Sequence, residues 1–278
     1  MSLYLNKNVR KIFLPILKFI SFDYSYKNPW TKNKLKLNLF KHKGYWFHGK
    51  NREANSMMLF KKIIKQDDIV IEVGGHIGFI TQYFSQLVGS KGKVIVFEPG
   101  SNNLPYIKPN IRVLSNVLLE EKAVGKEDGF IAFYEEGLTG QNNSVVKNFD
   151  GLIANKNLAN VSYDYTQRDV KLISLDQYLD QFQRLDFIKI DIEGGEWDAL
   201  QGFNKMIFLL KPVMMVEVQT EREEIFKFFK DRGYILFNSK MHQIDNAKDL
   251  NKNIFCFHKE KHAALLSCIC IKPINENC

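Results

Sequence analysis

At 278 residues, with 45% hydrophobic and 25% charged side chains, the chain has room for one α/β domain plus an extension, and a composition that excludes a disordered or fibrous polymer. Its net charge of +8 is unevenly placed: nearly every ionised side chain before Asp67 is basic, Asp23 and Glu53 being the exceptions, and the remainder is mildly acidic. Such asymmetry predicts either an arm for an anionic surface, lipid or nucleic acid, or a merely solvated lysine-rich face.

Residues 1–66 read as a basic, partly helical extension. From Val9 to Phe22 apolar side chains recur at near-helical spacing among Arg10, Lys11 and Lys18, which predicts a basic amphipathic helix lying on a membrane surface or packed on the domain that follows. Its apolar part, Ile12 to Phe22, is too short to span a bilayer and lacks a small-residue cleavage site. The expectation is therefore a cytoplasmic protein, with peripheral attachment to the inner membrane surface as the variant the arm suggests. Asn28 to Arg52 shows no clear period and reads as an irregular connector or a few short strands, leading to a helix around Ala54 to Ile64.

The segment IVIEVGGHIGF, Ile69 to Phe79, opens the domain proper, expected over residues 67–260. A β-branched run ending in Glu-x-Gly-x-x-x-Gly ahead of a helical pattern reads as strand, glycine turn, helix N-terminus: a nucleoside-binding βαβ unit. A dinucleotide loop aligned on Gly74 needs glycines at 76 and 79, where His76 and Phe79 stand. S-adenosylmethionine needs no phosphate cradle. Gly74 and Gly78 let the backbone pass its methionine moiety, Glu72 meets its ammonium, and Glu98, closing the next strand in VIVFEP, accepts both ribose hydroxyls.

Strands are expected at Ile69–Val73, Lys93–Phe97, Val117–Lys122, Phe187–Asp191, Val213–Val218, Tyr234–Phe237 and Ile254–Phe257, with helices at Ile77–Val88, Asp176–Phe182, Trp197–Leu209 and Arg222–Arg232. This alternation predicts a doubly wound sheet. The insert from Gly129 to Val170 carries two further strand-like runs, Phe130–Tyr134 and Val170–Ser174, around a polar loop from Gln141 onward, expected near the mouth of the site. In KIDIEGGE a buried strand delivers Asp191, Glu193 and Glu196 to the carboxyl edge of the sheet, where open α/β sheets bind ligands. One carboxylate suffices to stabilise a helix N-terminus, so three predict a functional site. Cys256 reads as a core thiol, and no Cys or His spacing suits zinc.

In these motifs the chain resembles the FkbM-type S-adenosylmethionine-dependent methyltransferases. The resemblance runs from Asp67 to about Phe237 and rests on IEVGGHIG, FEP, KAVG, the Asn143-Ser144 pair, ISLDQYL, DFIKIDIEGGEWDALQG, VMMVE and Gly233-Tyr234. Glu72 stands where the family usually has Asp, and Gly75-His76 where it has Ala-Asn. The resemblance implies a class I methyltransferase fold, a Rossmann-like, mostly parallel seven-stranded sheet. It also implies O-methylation, commonly of sugar hydroxyls in small molecules or surface glycans. Ala123 and Val124 are then expected beside the adenine, and Gly75 and His76 beside the rest of the cofactor.

Methyl transfer from a sulfonium requires the acceptor oxygen held in line with the methyl, and a base assists a weakly nucleophilic alcohol. Asp191 and Glu196 are the first candidates for base and acceptor orientation, followed by Glu193, Glu217 and His242. The carboxylates also suit Mg²⁺, which would acidify the acceptor, though no spacing demands a metal. Tyr163 and Tyr165 suggest a sugar platform, while Trp197, opening a helix, reads as core. Aromatics among the N-terminal lysines leave RNA or protein methylation, or an inactive membrane-bound module, as alternatives. Nucleic acid is disfavoured because no Asn/Asp-Pro-Pro-aromatic motif is present. Residues 261–278 are expected as a tail.

Overall fold

A computed structural model describes residues 15–147 and 165–271. The β-branched runs pair into one eight-stranded sheet in the spatial order β12-β11-β13-β10-β9-β3-β4-β5. Its members are β3 (Ile69–Val73), β4 (Lys93–Phe97), β5 (Val117–Glu120), β9 (Phe187–Ile190), β10 (Val213–Val218), β11 (Tyr234–Asn238), β12 (Gln243–Ile244) and β13 (Lys252–His258). From β5 through β10 neighbouring strands are parallel. β13 runs antiparallel to both β10 and β11. All seven expected strands are in this sheet; the eighth, the two-residue β12, forms an edge with too little sequence to carry a pattern. Strand order reverses between β3 and β9, so their carboxyl ends part and leave a crevice.

Alternation along the strands feeds two cores. Ile71, Val73, Ile188, Ile190, Met214 and Val216 face α5 (Glu196–Gln201), α6 (Asn204–Leu210) and α7 (Arg222–Asp231). Val70, Phe187, Met215 and Phe255 face α2 (Ala54–Ile63) and α3 (Phe79–Val88). The second core also takes in Leu35 and Leu37 of a hairpin, β1 (Asp23–Lys27) with β2 (Lys34–Asn38), and Tyr45 of α1 (Lys43–His48). Ile269 of α8 (Ala263–Ile271) joins it as well. The described parts of the N-terminal extension and of the C-terminal tail thus share a core with the domain between them.

Several elements differ from expectation for physical reasons. The stretch 117–122 ends as β5, and Ala123–Val124 become β6 of a separate three-stranded sheet with β7 (Gly129–Glu136) and β8 (Tyr165–Ile173). The single helix expected over 197–209 is two, broken at Gly202, where a Cβ would lie 1.9 Å from the Gly125 carbonyl oxygen. Residues 175–181 form a 3₁₀ helix. An unexpected helix, α4 (Leu104–Ile111), spans Pro105 and Pro109; Pro105 sits in the first turn, where its missing N–H costs no hydrogen bond.

Of the expected N-terminal helix, residues 9–14 lie outside the described residues, and 15–19 are helical. Leu17 is buried there, while Ile16, Phe19, Ile20 and Phe22 are exposed, Phe19 at 92%. Among the described residues no helix is long and apolar enough to cross a membrane. Tyr163 lies outside the described residues, Tyr165 is exposed, and Trp197 packs on Phe228 in the first core.

Candidate active site

The crevice at the carboxyl ends of β3, β4, β9 and β10 is a cavity of about 380 Å³, within the range of small-molecule sites, about 300–1,000 Å³. The glycine turn forms the middle of its wall, between Glu98 and Asp191. Gly74 (φ +91°) sits so close to β9 that a Cβ would lie 1.9 Å from the Asp191 carbonyl oxygen, and at Gly75 a Cβ would lie 2.3 Å from Val96 Cγ2. Both N–H groups donate to the Phe97 carbonyl at 3.0 and 3.1 Å, tying the turn to the end of β4. Only a residue without a side chain allows that approach.

Glu98 stands beside this turn. Its carboxylate accepts from the His76 N–H (2.6 Å), the Gly100 N–H (2.8 Å) and Asn103 Nδ2 (3.2 Å), and burial nonetheless pushes it up to about 7. Phe97, Ala123, Val124 and Phe133 give the cavity wall apolar surface, Phe97 preceding Glu98 in the chain. Asn103 Oδ1 is buried there with no hydrogen-bond partner, an orphaned acceptor in the cavity wall. Glu72 accepts from Thr81 Oγ1 at 2.6 Å; burial lifts it to about 7 against the nearby Lys189. His76 (φ +47°) bonds the Thr139 carbonyl through Nε2 at 3.2 Å and the Tyr45 hydroxyl through Nδ1 at 2.7 Å. Those partners assign the proton to Nε2, with Tyr45 donating to Nδ1, and burial keeps the ring neutral, its pKa at about 3.

On the Asp191 side the wall is acidic around one buried cation. Lys189, 1% exposed on β9, places Nζ 2.9 Å from Asp191 Oδ2 and 3.4 Å from the Gly74 carbonyl oxygen. Asp191, Glu193 and Glu217 each bring a carboxylate oxygen within 4.8 Å of the others. Burial pushes Asp191 up, but Lys189 outweighs it and holds this carboxyl well below its ordinary range. The Asp191 charge, with burial, pushes Glu217 well above that range, and burial with the same charge raises Glu193. Around neutral pH the cluster therefore holds ionised Asp191 beside protonated Glu217. Gln219 Nε2 donates to Glu193 at 2.6 Å, and Ser144 of the insert donates to the Glu193 carbonyl at 2.6 Å, so the insert closes on this side.

Three expected site residues stand elsewhere. Gly78 (φ +82°) does not line the cavity; it caps α3, and a Cβ there would meet Ile107 and Ile111 of α4 at 3.1 and 3.2 Å. Its glycine serves helix packing and a left-handed backbone. Glu196 is fully buried outside the cavity wall, both oxygens accepting from the Gly194 N–H at 3.0 and 3.1 Å, so it braces the turn into α5. His242 is exposed in the turn after β11, away from the cavity.

The cavity also holds residues without an expected role: Lys189, Tyr45, Arg52 and Glu53 from the N-terminal segment, and Lys252 and Asn253 from β13. Only Lys189 left a signal, a charge in an otherwise apolar strand.

Residues 72–236 match the methyltransferase FkbM domain. A curated relative, Methyltransferase 1 of Beauveria bassiana (strain ARSEF 2860), is 24% identical over 155 residues, 50% of this chain; the chain spans 59% of that relative's length. Among solved structures, methyltransferase FkbM from Methylobacillus flagellatus KT is similar with a TM-score of 0.45 and 15% identity, over 69% of this chain and 44% of that one. Fibrillarin of Aeropyrum pernix, solved with natively bound S-adenosyl-L-methionine, matches with a TM-score of 0.44 and 11% identity, over 84% of this chain and 87% of that one.

Proposed function

The chain belongs to the methyltransferase FkbM family, and from that membership we propose that it is an S-adenosylmethionine-dependent O-methyltransferase acting on a sugar or glycan hydroxyl. The observation that carries this reading is one cavity whose Gly74-Gly75 turn lies between Glu98 on one side and ionised Asp191 on the other. The residues fit the cofactor. The apolar surface of Phe97, Ala123, Val124 and Phe133 suits a planar base, the orphaned Asn103 Oδ1 offers an acceptor in the same cavity wall, and Glu98 suits the ribose. Bound cofactor supplies an electrophilic sulfonium methyl group. The chain's own part is to orient the acceptor oxygen and take its proton, and Asp191 is the carboxylate kept ready to do so. Lys189 supplies a positive charge at this cluster, and its three carboxylates also suit a divalent ion such as Mg²⁺.

Calorimetry is expected to show binding of S-adenosylmethionine and S-adenosylhomocysteine but not NAD, and labelled methyl groups are expected on members of a glycan panel rather than on RNA or protein. Tight NAD binding refutes the cofactor; label on RNA or protein moves the acceptor class.

We also propose that the exposed Ile16, Phe19, Ile20 and Phe22, beside Lys18, meet an anionic membrane. Flotation with vesicles containing anionic phospholipid is expected, weakened by salt and by Phe19→Glu. Equal recovery with neutral vesicles would remove the electrostatic part, and no flotation would remove the membrane.

A further inference from the structure

We propose that Arg52, supplied by the segment preceding the family domain, binds the carboxylate of the cofactor's methionine moiety. This rests on the S-adenosylmethionine reading above and adds to it a binding residue outside residues 72–236. The cavity is chemically polarised. Its apolar surface at Phe97, Ala123, Val124 and Phe133 suits the adenine, and Glu98 follows Phe97 in the chain. An amino-acid tail bound along the glycine turn would need an anion for its ammonium and a cation for its carboxylate. Glu72, in the cavity wall just before that turn, is the anion at hand.

Among the described residues four cations line the cavity: Arg52, Lys122, Lys189 and Lys252. Lys122 is held by Glu120 at 2.6 Å and by the Tyr178 hydroxyl at 3.2 Å, and Lys189 is committed to Asp191. Lys252 is exposed at the start of β13. Arg52 is the cation that is held in place and still carries a buried N–H without a hydrogen-bond partner. That group, Nε, is paired only at 3.6 Å with the Glu53 carboxylate.

The guanidinium is fixed by stacking. Its central carbon lies 4.1 Å from the centre of the Tyr45 ring, and Tyr45 stacks in turn on His76 with ring centres 5.7 Å apart and planes 19° from parallel. The Tyr45–His76 hydrogen bond locks this layer onto the residue that follows Gly74-Gly75. Space for the guanidinium comes from Gly44, where a Cβ would lie 2.9 Å from Arg52 Nη1. A planar, weakly hydrated fork held against an aromatic face at a largely desolvated turn is the arrangement that suits bidentate carboxylate binding.

The test compares two ligands by calorimetry on the full chain. S-adenosylhomocysteine carries the amino-acid tail; 5′-methylthioadenosine keeps adenine, ribose and thioether and lacks it. Arg52→Gln is expected to weaken S-adenosylhomocysteine by about 10- to 100-fold and methylthioadenosine by less than about twofold, since a charge-assisted hydrogen bond is lost with the first ligand only. Arg52→Lys, which keeps the charge without the fork, is expected to fall between wild type and Arg52→Gln, and it serves alone if the Gln variant does not fold. Equal weakening of both ligands overturns the assignment in favour of a structural role. Unchanged affinity for both, with a raised acceptor KM, overturns it in favour of the acceptor. Wild-type protein that binds neither ligand sinks the cofactor reading and this assignment together.

Discussion

Lys189→Met is expected to lower stability more than any other single change at the site, by about 3 kcal/mol, which for a chain of this size is roughly 6–12 °C in Tm. The lysine is buried between Asp191 and the end of β3, and removing it leaves the Asp191 carboxylate, and the nearby Glu72, without a counter-charge. The low end of the range for a broken buried pair applies because Asp191 opens onto the cavity. Asp191 has a depressed pKa when folded, so its contribution is present above its ordinary value near 4 and lost as pH falls below it. Burial pulls Lys189 down, but Asp191 and Glu72 outweigh it and raise the lysine; its contribution is full below about 10 and is lost as pH rises through the raised value. The pair therefore stabilises the protein evenly from about pH 4 to pH 10. In the variant, Asp191 no longer resists protonation, so the gap in Tm should narrow as pH drops from about 7 to about 4. Melting curves at both pH values check this. A gap that does not change with pH would mean that Lys189 acts through packing and not through charge.

Much of the sheet was legible because its signals are local. Five-residue β-branched runs bounded by glycine and charge can hardly be anything but buried strands, and Ile69–Val73 and Lys93–Phe97 are found where they are expected. The glycine turn was legible because a positive φ and a close strand both demand glycine at Gly74. What sequence spacing does not carry is the direction in which an absent side chain would point. Gly78 has the spacing of a cofactor glycine, yet its missing Cβ faces α4. Glu196 has the chemistry of a base or acceptor-orienting group, yet its carboxylate turns back to a backbone N–H two residues away. Helix α4 was hidden by its prolines, since a first-turn proline and a helix breaker look alike without a structure. Tyr45 and Arg52 lie more than twenty residues before the turn they meet, and only the docking of the β1–β2 hairpin and α1 on the second core brings them there.

Asp191→Asn is expected to leave Tm within a few degrees of wild type and S-adenosylhomocysteine affinity near normal, while lowering methyl transfer by about 10²-fold. The shape is kept and one charge is lost. Lys189 retains Glu72 as a counter-charge, and Glu217 is relieved of the neighbour that most raises its pKa, so the two effects on stability oppose each other. Turnover has no such compensation, because around neutral pH Asp191 is the carboxylate of the cluster held ionised by a cation. The loss is set at the low end of the general-base range because a carboxylate so well stabilised is a weak base. Glu196→Gln should show the opposite pattern, a lower Tm with turnover nearly unchanged, since its bonds are to the Gly194 backbone. Near-wild-type turnover in Asp191→Asn would transfer the proton to Glu193, whose raised pKa makes it the stronger base once ionised. Chelation separates the remaining mechanism: turnover that disappears with a chelator and returns with Mg²⁺ would make Asp191, Glu193 and Glu217 metal ligands, with Glu217 losing its proton to the ion. Turnover indifferent to chelation leaves the acceptor's proton to a side chain of the protein, with the Asp191→Asn result deciding which carboxylate takes it.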